Sequence, residues 1–578
     1  MLIIYLKQNI MNRILNIVIL VGLLISLNSC DLVKDFTYTV NPNPLEMHGD
    51  SLRFNVIINI PEKGIQKKIR AEISPKIGNT SIGTWIVQGE KVTGNGRTIF
   101  FKPGGTTTFE MVVPYSSDME AADVKITGKV FKGLKEKLTL PEMKIADATI
   151  ITPLLVKKEF KMIYEDDAII RSVDKTTSAV INFDRGQSIV KTNELKDADL
   201  NELLVWITTS QLNPKIKINS IEIVGYASPD GVEDKNSNLS NERTKAARAS
   251  LISLMKKAKI AGYTDTANYT LQGKGEDFDG FKEQLSLSTS ISEADKNLFI
   301  RILEMTKDPV KRETEMINLG KSYTELEKDV FPKIRRASII VNYTENGLTD
   351  DEIMQASINN PSVLGVEELL YAAKNLTQDL NEKARIYQLA ASIFDSDYRT
   401  HNNLGALSFS QNKIADAKKS LEKSNSLKEN IAAKNNLAGV VLIQDNRTQA
   451  IKLMAQTKSV NANNSSIVAY NNAILNIMSG NYSKAENNLK DDSFNKALAL
   501  TLQGKLPQAT KVLSAIASTS ESFYLKAILA ARNGESVDSV VTNLKEAFAK
   551  DSNLKTKASK DREFLKFMND ATFTSAIN

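Results

Sequence analysis

A chain of 578 residues is too long for a single hydrophobic core and implies roughly three to four domains. Its 42% apolar and 25% charged residues are those of ordinary globular protein, which excludes long disorder. The 74 basic residues are nearly matched by 68 acidic ones, a net charge of +6, so nucleic acid has no electrostatic footing as a partner. Only two histidines occur, His48 and His401, each in a polar setting that reads as surface. A histidine triad or zinc centre therefore lacks raw material, and no metal and no cofactor is expected.

From Met11, itself an alternative start, the chain reads MNRILNIVILVGLLISLNSC: one basic residue, Arg13, then an apolar run closing on Leu27-Asn28-Ser29-Cys30. That is the layout of a secretory signal over residues 1–29, too short between its flanks for a comfortable bilayer span. Leu27 and Ser29 ahead of the chain's single cysteine resemble the bacterial lipobox. The resemblance implies cleavage before Cys30 and acylation of Cys30, with palmitate-type chains holding the protein to the outer membrane on its periplasmic side. An uncleaved anchor helix is the alternative.

Residues 30–170 are expected to form a β-sandwich. SLRFNVIINI (51–60), TIFFKP (98–103), TTFEMVVPY (107–115) and ADVKITGKVF (122–131) alternate apolar and polar, and Pro61, Pro75, Gly94 and Gly104 punctuate them. Residues 171–345 change character. SAVINFDRGQS (178–188), KINSIEIVGYAS (217–228) and IRRASIIVNY (334–343) read as strands, with helical spacing over 194–207 and from Leu239 to Ile260. The expectation is a small mixed α+β sheet of βαβαβ order, with residues 261–333 as a largely helical insertion.

From 350 to 560 the chain is helical and repetitive. Four windows align without gaps: NLGALSFSQNKIADAKKSL (403–421), NLAGVVLIQDNRTQAIKLM (436–454), NNAILNIMSGNYSKAENNL (471–489) and NKALALTLQGKLPQATKVL (495–513). Gly405, Ala438, Ala473 and Ala497 hold the third position and Ala417, Ala450, Ala485 and Ala509 the fifteenth. An earlier copy carries Ala372 and Ala384, and a degenerate later one begins near Tyr524. From Ala384 onward the steps are 33, 33, 35 and 24 residues, so the segment resembles tetratricopeptide repeats, with Ser408 and Leu442 where that family favours tyrosine. The resemblance implies a helical solenoid that recruits a protein partner. Residues 561–578 are expected to be a tail.

The candidate site lies in GYASPDGVEDKNSNLSNERTKAARASL, from Gly225 to Leu251. Arg243 shares a narrow helical stripe with Ala247, Leu254 and Ala258, and a guanidinium there needs an anion or a polar partner. The turn Ala227-Ser228-Pro229-Asp230-Gly231 gathers hydroxyls, backbone groups and a carboxylate at a strand end. Two readings stay open: a ligand pocket with both signs of charge, or a structural arginine that snorkels to solvent or forms an internal salt bridge with Asp230 or Glu242.

Gly225-Tyr226, Gly231, Asn236, Leu239-Ser240 and Arg243, with VINFDRGQS upstream and RRASIIV downstream, resemble the OmpA-like peptidoglycan-binding family. The resemblance implies that Arg243 takes the carboxylate of diaminopimelate in the peptidoglycan stem. Ser228 stands where the family has its amine-binding aspartate, Asp230 supplies a carboxylate two residues later, and Asn236 completes the set. Lipobox, β domain, OmpA-like domain and repeats together look like an envelope lipoprotein architecture common in Bacteroidota. The expected function is an outer-membrane lipoprotein that grips peptidoglycan and scaffolds a partner. The alternative is a secretion or assembly scaffold with a vestigial wall site. Asp184, Asp230 and Glu233 form no recognisable acid/base pair, so no enzyme activity is expected.

Overall fold

The computed structural model describes residues 32–165, 168–263, 265–457 and 462–578. The expected signal segment and Cys30 lie outside the described residues. The chain forms two compact units: Met1–Glu165 with Phe394–Asn578, and Asp166–Ile393.

The first unit begins with ten strands: β1 (Thr37–Asn41), β2 (Met47–His48), β3 (Ser51–Ile60), β4 (Ile69–Ile77), β5 (Thr80–Ser81), β6 (Trp85–Gly89), β7 (Arg97–Ile99), β8 (Gly105–Pro114), β9 (Asp123–Lys132) and β10 (Lys135–Asp147). One sheet centres on β3, paired with β1, β2 and β8; the other runs β10-β9-β4-β6-β7, with β5 on β4. Strict alternation in β3 sends Leu52, Phe54, Val56, Ile58 and Ile60 into the core, where they meet Ile69, Ala71 and Ile73 of β4.

The strands stop at Asp147, short of the expected boundary at residue 170. After Ala148 and Ile151, still in the sandwich core, the chain makes one short turn (Thr152–Leu155) and continues extended to Glu165. Val156, Phe160 and Ile163 of this strap bury themselves in the core of the helical repeats. Its apolar residues therefore serve a different core from the one that their position in sequence suggests.

The repeats pair Tyr398–Ser410 with Ile414–Leu427, Ile431–Ile443 with Arg447–Ala455, Ala462–Met478 with Tyr482–Asn488, and Phe494–Leu502 with Leu506–Ala515. A further pair, Ser520–Arg532 and Val537–Lys550, follows. The aligned small residues sit where the paired helices meet: a Cβ on Gly405 would lie 2.6 Å from Cγ of Leu421 and 3.1 Å from the Ala417 carbonyl oxygen. The expected tail is part of this core. Arg562–Phe567 and Ala571–Ile577 are helical, and Phe564 and Phe573 are fully buried because their rings close the open end of the last helix pair. The early copy around Ala372 and Ala384 belongs instead to the second unit. His401, read as surface from its polar neighbours, is buried in the first helix, with Nε2 2.9 Å from the Asp395 carbonyl oxygen.

The second unit holds a four-stranded sheet, β11 (Ser172–Asn182), β12 (Ile216–Ala227), β13 (Tyr269–Glu276) and β14 (Arg336–Asn346), in the order β11-β14-β12-β13. β14 is antiparallel to both neighbours and β13 parallel to β12. Helices Ala198–Ser210 and Glu233–Lys257 supply Leu200, Leu203, Ile207, Leu251 and Met255 to the shared core. β13 lies inside the segment 261–333 read as an insertion; as an edge strand with only Tyr269 buried, YTLQGKGE carries little apolar alternation to betray it. The helices between Phe278 and Ile334 have their own core of Phe281, Leu285, Phe299, Met316, Phe331 and Ile334.

Asp561 caps the C-terminal closure, buried beneath Tyr524, whose hydroxyl donates to it at 2.8 Å. Burial first, then the nearby Glu563 carboxylate, raises its carboxyl to about 6, while Lys557 pulls the other way. A folded-state value above the unfolded one means this group's contribution is fully present below about pH 4 and is lost as pH rises through 6. The difference is on the order of 2–3 kcal/mol. Asp561→Asn, which keeps a capping oxygen, should therefore raise the thermal unfolding midpoint at pH 8 and have little effect at pH 4. An equal shift at both pH values would refute this assignment.

Candidate functional site

The turn after β12 is set by two glycines. Gly231 has φ of +105°, a conformation that side chains resist, and a Cβ on Gly225 would lie 2.1 Å from the Ser240 carbonyl oxygen. The helix consequently sits directly on the strand. It begins at Glu233, six residues before the expected Leu239, with Glu233 and Asp234 favourably placed at the positive end of its dipole. Asn236 is therefore a first-turn helical residue, and its Nδ2 donates to the carbonyl oxygens of Ser228 and Asp230 at 3.2 Å each and to Glu276 Oε1 at 2.9 Å.

The four expected site residues in this turn, Ser228, Asp230, Asn236 and Arg243, come together as a buried cluster. Arg243 is only 1% exposed. Its Nε donates to the carbonyl oxygen of Gln187 at 3.0 Å, Nη1 to Tyr226 at 2.7 Å and Nη2 to Asp184 at 3.1 Å, and the guanidinium lies over the Phe183 ring at 5.3 Å. It ties β11's exit, β12's end and the helix together through main-chain oxygens, an arrangement that neither sequence reading contained. Burial, then the neighbouring Arg335, lowers its pKa to about 10, still cationic at neutral pH.

Asp230 is equally enclosed, its side chain 2% exposed. It accepts from the Ser228 hydroxyl and pairs with Arg335 and Arg185 at 3.1 Å each, while Arg335 Nε also donates to Ser228 Oγ at 3.0 Å. Arg335, expected to open the closing strand, lies one residue ahead of β14 at the end of the short helix before it, so the lead-in to that strand supplies the counter-ion. The insertion completes the enclosure. Arg185, 59% exposed, bridges from Asp230 to Glu327, and Arg312 pairs with Glu276 at 3.1 Å. Tyr323 is buried, and its hydroxyl, which has no hydrogen-bond partner among the described residues, is held up at about 12 by burial and then by Asp230. Sequence reading missed Glu276, Arg312 and Tyr323, which the segment read as an insertion brings to the turn, and Arg185, which the loop after β11 brings there.

A second constellation lies on the repeats. Four asparagines each clasp one strap residue with both amide atoms. Asn495 accepts from Lys157 N–H and donates to its carbonyl, both at 2.9 Å. Asn471 does the same to Lys161 and Asn436 to Ile163, all at 2.8 Å, and Asn403 to Glu165 at 2.8 and 2.6 Å. Asn435 and Asn402 add donors to the carbonyls of Lys161 and Ile163 at 3.0 Å. The amides also bond to one another in one line, Asn471 to Asn435 to Asn436 to Asn402 to Asn403, and all six asparagines are at most 1% exposed. Lys161 Nζ lies 4.3 Å from the Tyr470 ring centroid and Lys157 Nζ 5.3 Å from that of Phe494. The signal was present in the sequence: Asn403, Asn436, Asn471 and Asn495 are the first residues of the four aligned windows.

Among the described residues no group of three or more metal-ligating side chains is gathered, and no helix is long and apolar enough to cross a membrane. No family model matches the chain. No curated protein matches it. Among solved structures, the crystal structure of yeast Tom70 is similar at 14% identity over 66% of this chain and 82% of that one, with a TM-score of 0.24. At that level the superposition bears on neither fold nor role.

Arg243→Ala would remove three hydrogen bonds from a charged donor, with the Asp184 carbonyl keeping a second donor in the Gln187 N–H, at about 1.5–3 kcal/mol for each bond lost. Chemical denaturation of the full chain should show the second unit destabilised by at least ~3 kcal/mol. Arg185→Ala removes an exposed arm while Asp230 keeps Arg335, and should cost no more than ~1 kcal/mol. Unchanged unfolding in the Arg243 variant would show that its guanidinium has no structural role.

Proposed function

We propose that the protein is an assembly scaffold of the bacterial envelope, lipid-anchored at Cys30 on the periplasmic side of the outer membrane, which recruits a protein partner through its tetratricopeptide-like repeats. In this reading the sheet of residues 172–346 is an OmpA-like domain whose ligand turn is closed. The observation that carries it is the asparagine line: the repeats present a surface whose chemistry holds extended polypeptide. The enclosure of Arg243 and Asp230 supports the second half, because a stem peptide reaching either group would first have to displace hydrogen bonds already made.

Peptidoglycan binding is the second reading, and the exposure of Arg185 favours it. Among the groups described around Asp230, Arg185 is the one able to swing into solvent at little cost, which would open one side of the carboxylate, still paired with Arg335, to an amine. The two readings separate by sedimentation of the full chain with diaminopimelate-type sacculi. The scaffold reading expects no pelleting above the control, together with a stoichiometric protein complex, recovered from envelopes, that survives Asp230→Asn. Pelleting of the wild type that is lost in Asp230→Asn would overturn it in favour of the wall. Arg243 is unsuited to this test because its removal disturbs the fold.

A further inference from the structure

The strap that occupies the groove is recognised almost entirely through its backbone. Each of Asn403, Asn436, Asn471 and Asn495 reads an N–H and a C=O, which every residue except proline offers. The side chains set only a loose pattern. Val156, Phe160 and Ile163 are buried, the two lysines at 157 and 161 lie over aromatic rings, and Lys158 and Glu159 are exposed. Met162 and Phe160 lie against Gly439, where a Cβ would be 2.8 and 2.9 Å from them, so the groove floor is cut to admit a chain closely.

The asparagines are also held in place independently of the strap. Because five of them bond to one another in line, their outward-facing amide atoms keep their aim when the groove is empty, and little ordering remains to be done on binding. The strap's beginning is fixed: Thr152 donates to Glu563, and Arg562 donates to the carbonyls of Ala148 at 3.1 Å and Ala121 at 2.7 Å. At its other end Asn403 clasps Glu165 and Tyr164 hydrogen-bonds Ser410, so an entering segment has to replace these bonds as well as those of the other asparagines.

We propose that the groove is a guarded polypeptide site, in which an extended segment of a partner protein displaces residues 157–165 and is held through its own backbone by these four asparagines. The segment is proline-free at the alternate positions that the amides read, has aromatic or aliphatic residues in place of Phe160 and Ile163, and is cationic where Lys157 and Lys161 stand. The inference rests on the scaffold reading and deepens it by naming the surface and the chemistry of what it takes. The guard is strong because it is tethered: a covalently linked competitor acts at an effective concentration on the order of millimolar. A partner therefore enters only when its own segment is locally concentrated.

The test uses the full chain and a fluorescent peptide, LLVKKEFKMIYE, which copies residues 154–165. Weakening the strap in the chain by Ile163→Pro, which removes the N–H that Asn436 accepts, or by Phe160→Asp, should tighten peptide binding at least about tenfold over wild type. Adding Asn436→Ala with Asn471→Ala should abolish it. Equal affinity in wild type and strap variants, or binding indifferent to the asparagine substitutions, would overturn the proposal. Hydrogen exchange on the wild type decides the matter even if the variants fold poorly. Amides of Lys161, Ile163 and Glu165 should exchange faster than those of helix Ile431–Ile443, and exchange at one common slow rate would show a strap that never leaves. If the groove fails these tests while the envelope complex persists, the scaffold reading stands and only its site is wrong.

Discussion

The first unit depends on the pairing of four asparagine amides with one extended stretch of chain. Ten residues that form no regular element are made as ordered as a strand, because Asn403, Asn436, Asn471 and Asn495 supply the N–H and C=O partners that a neighbouring strand would. The dependence runs both ways. The strap covers amides that are at most 1% exposed, and buried amides without partners would count against the fold. Its Phe160 and Ile163 fill the same core as the repeat helices. A linker between two domains is thereby converted into a structural layer of one of them.

The second unit uses the opposite strategy around a single charged group. Among the described residues no carboxylate pairs with Arg243; three main-chain oxygens from two segments, the exit of β11 and the end of β12, converge on its fork, and an aromatic ring covers its face. Asp230, more than three helical turns earlier in sequence, is neutralised separately by Arg185 and Arg335. Each charge in the turn is therefore satisfied by its own set of partners. That leaves the turn stable as a structural corner and makes any ligand compete with bonds already formed.

These two arrangements differ in what they leave open for function. The corner in the second unit is closed by the insertion, whose Tyr323, Arg312 and Glu327 reach groups on or beside the turn, and Arg185 is the exposed partner of Asp230. The groove of the repeats is filled rather than closed, and what fills it is held by bonds indifferent to sequence. A site filled by a generic ligand can exchange it. A site whose charges are individually locked resists doing so.

Much of this was legible in the sequence, residue by residue. Period-two alternation in SLRFNVIINI marked β3 and its buried face, and the recurring Ala417, Ala450, Ala485 and Ala509 marked the helix pairs, because burial in a strand or between close helices leaves a local, periodic trace. The cluster of Ser228, Asp230, Asn236 and Arg243 was legible as a cluster, since turn and helix are adjacent in the chain. What those groups bind was not, because Gln187, Arg185, Arg335 and Tyr323 arrive from distant segments. The strap was hidden for the same reason: nothing in VKKEFKMIYE says which surface its apolar side faces, and Asn403 meets Glu165 across 238 residues of chain. Local patterning fixes which residues seek the interior; only the folded path decides whose interior, and which partner each buried polar group finds there.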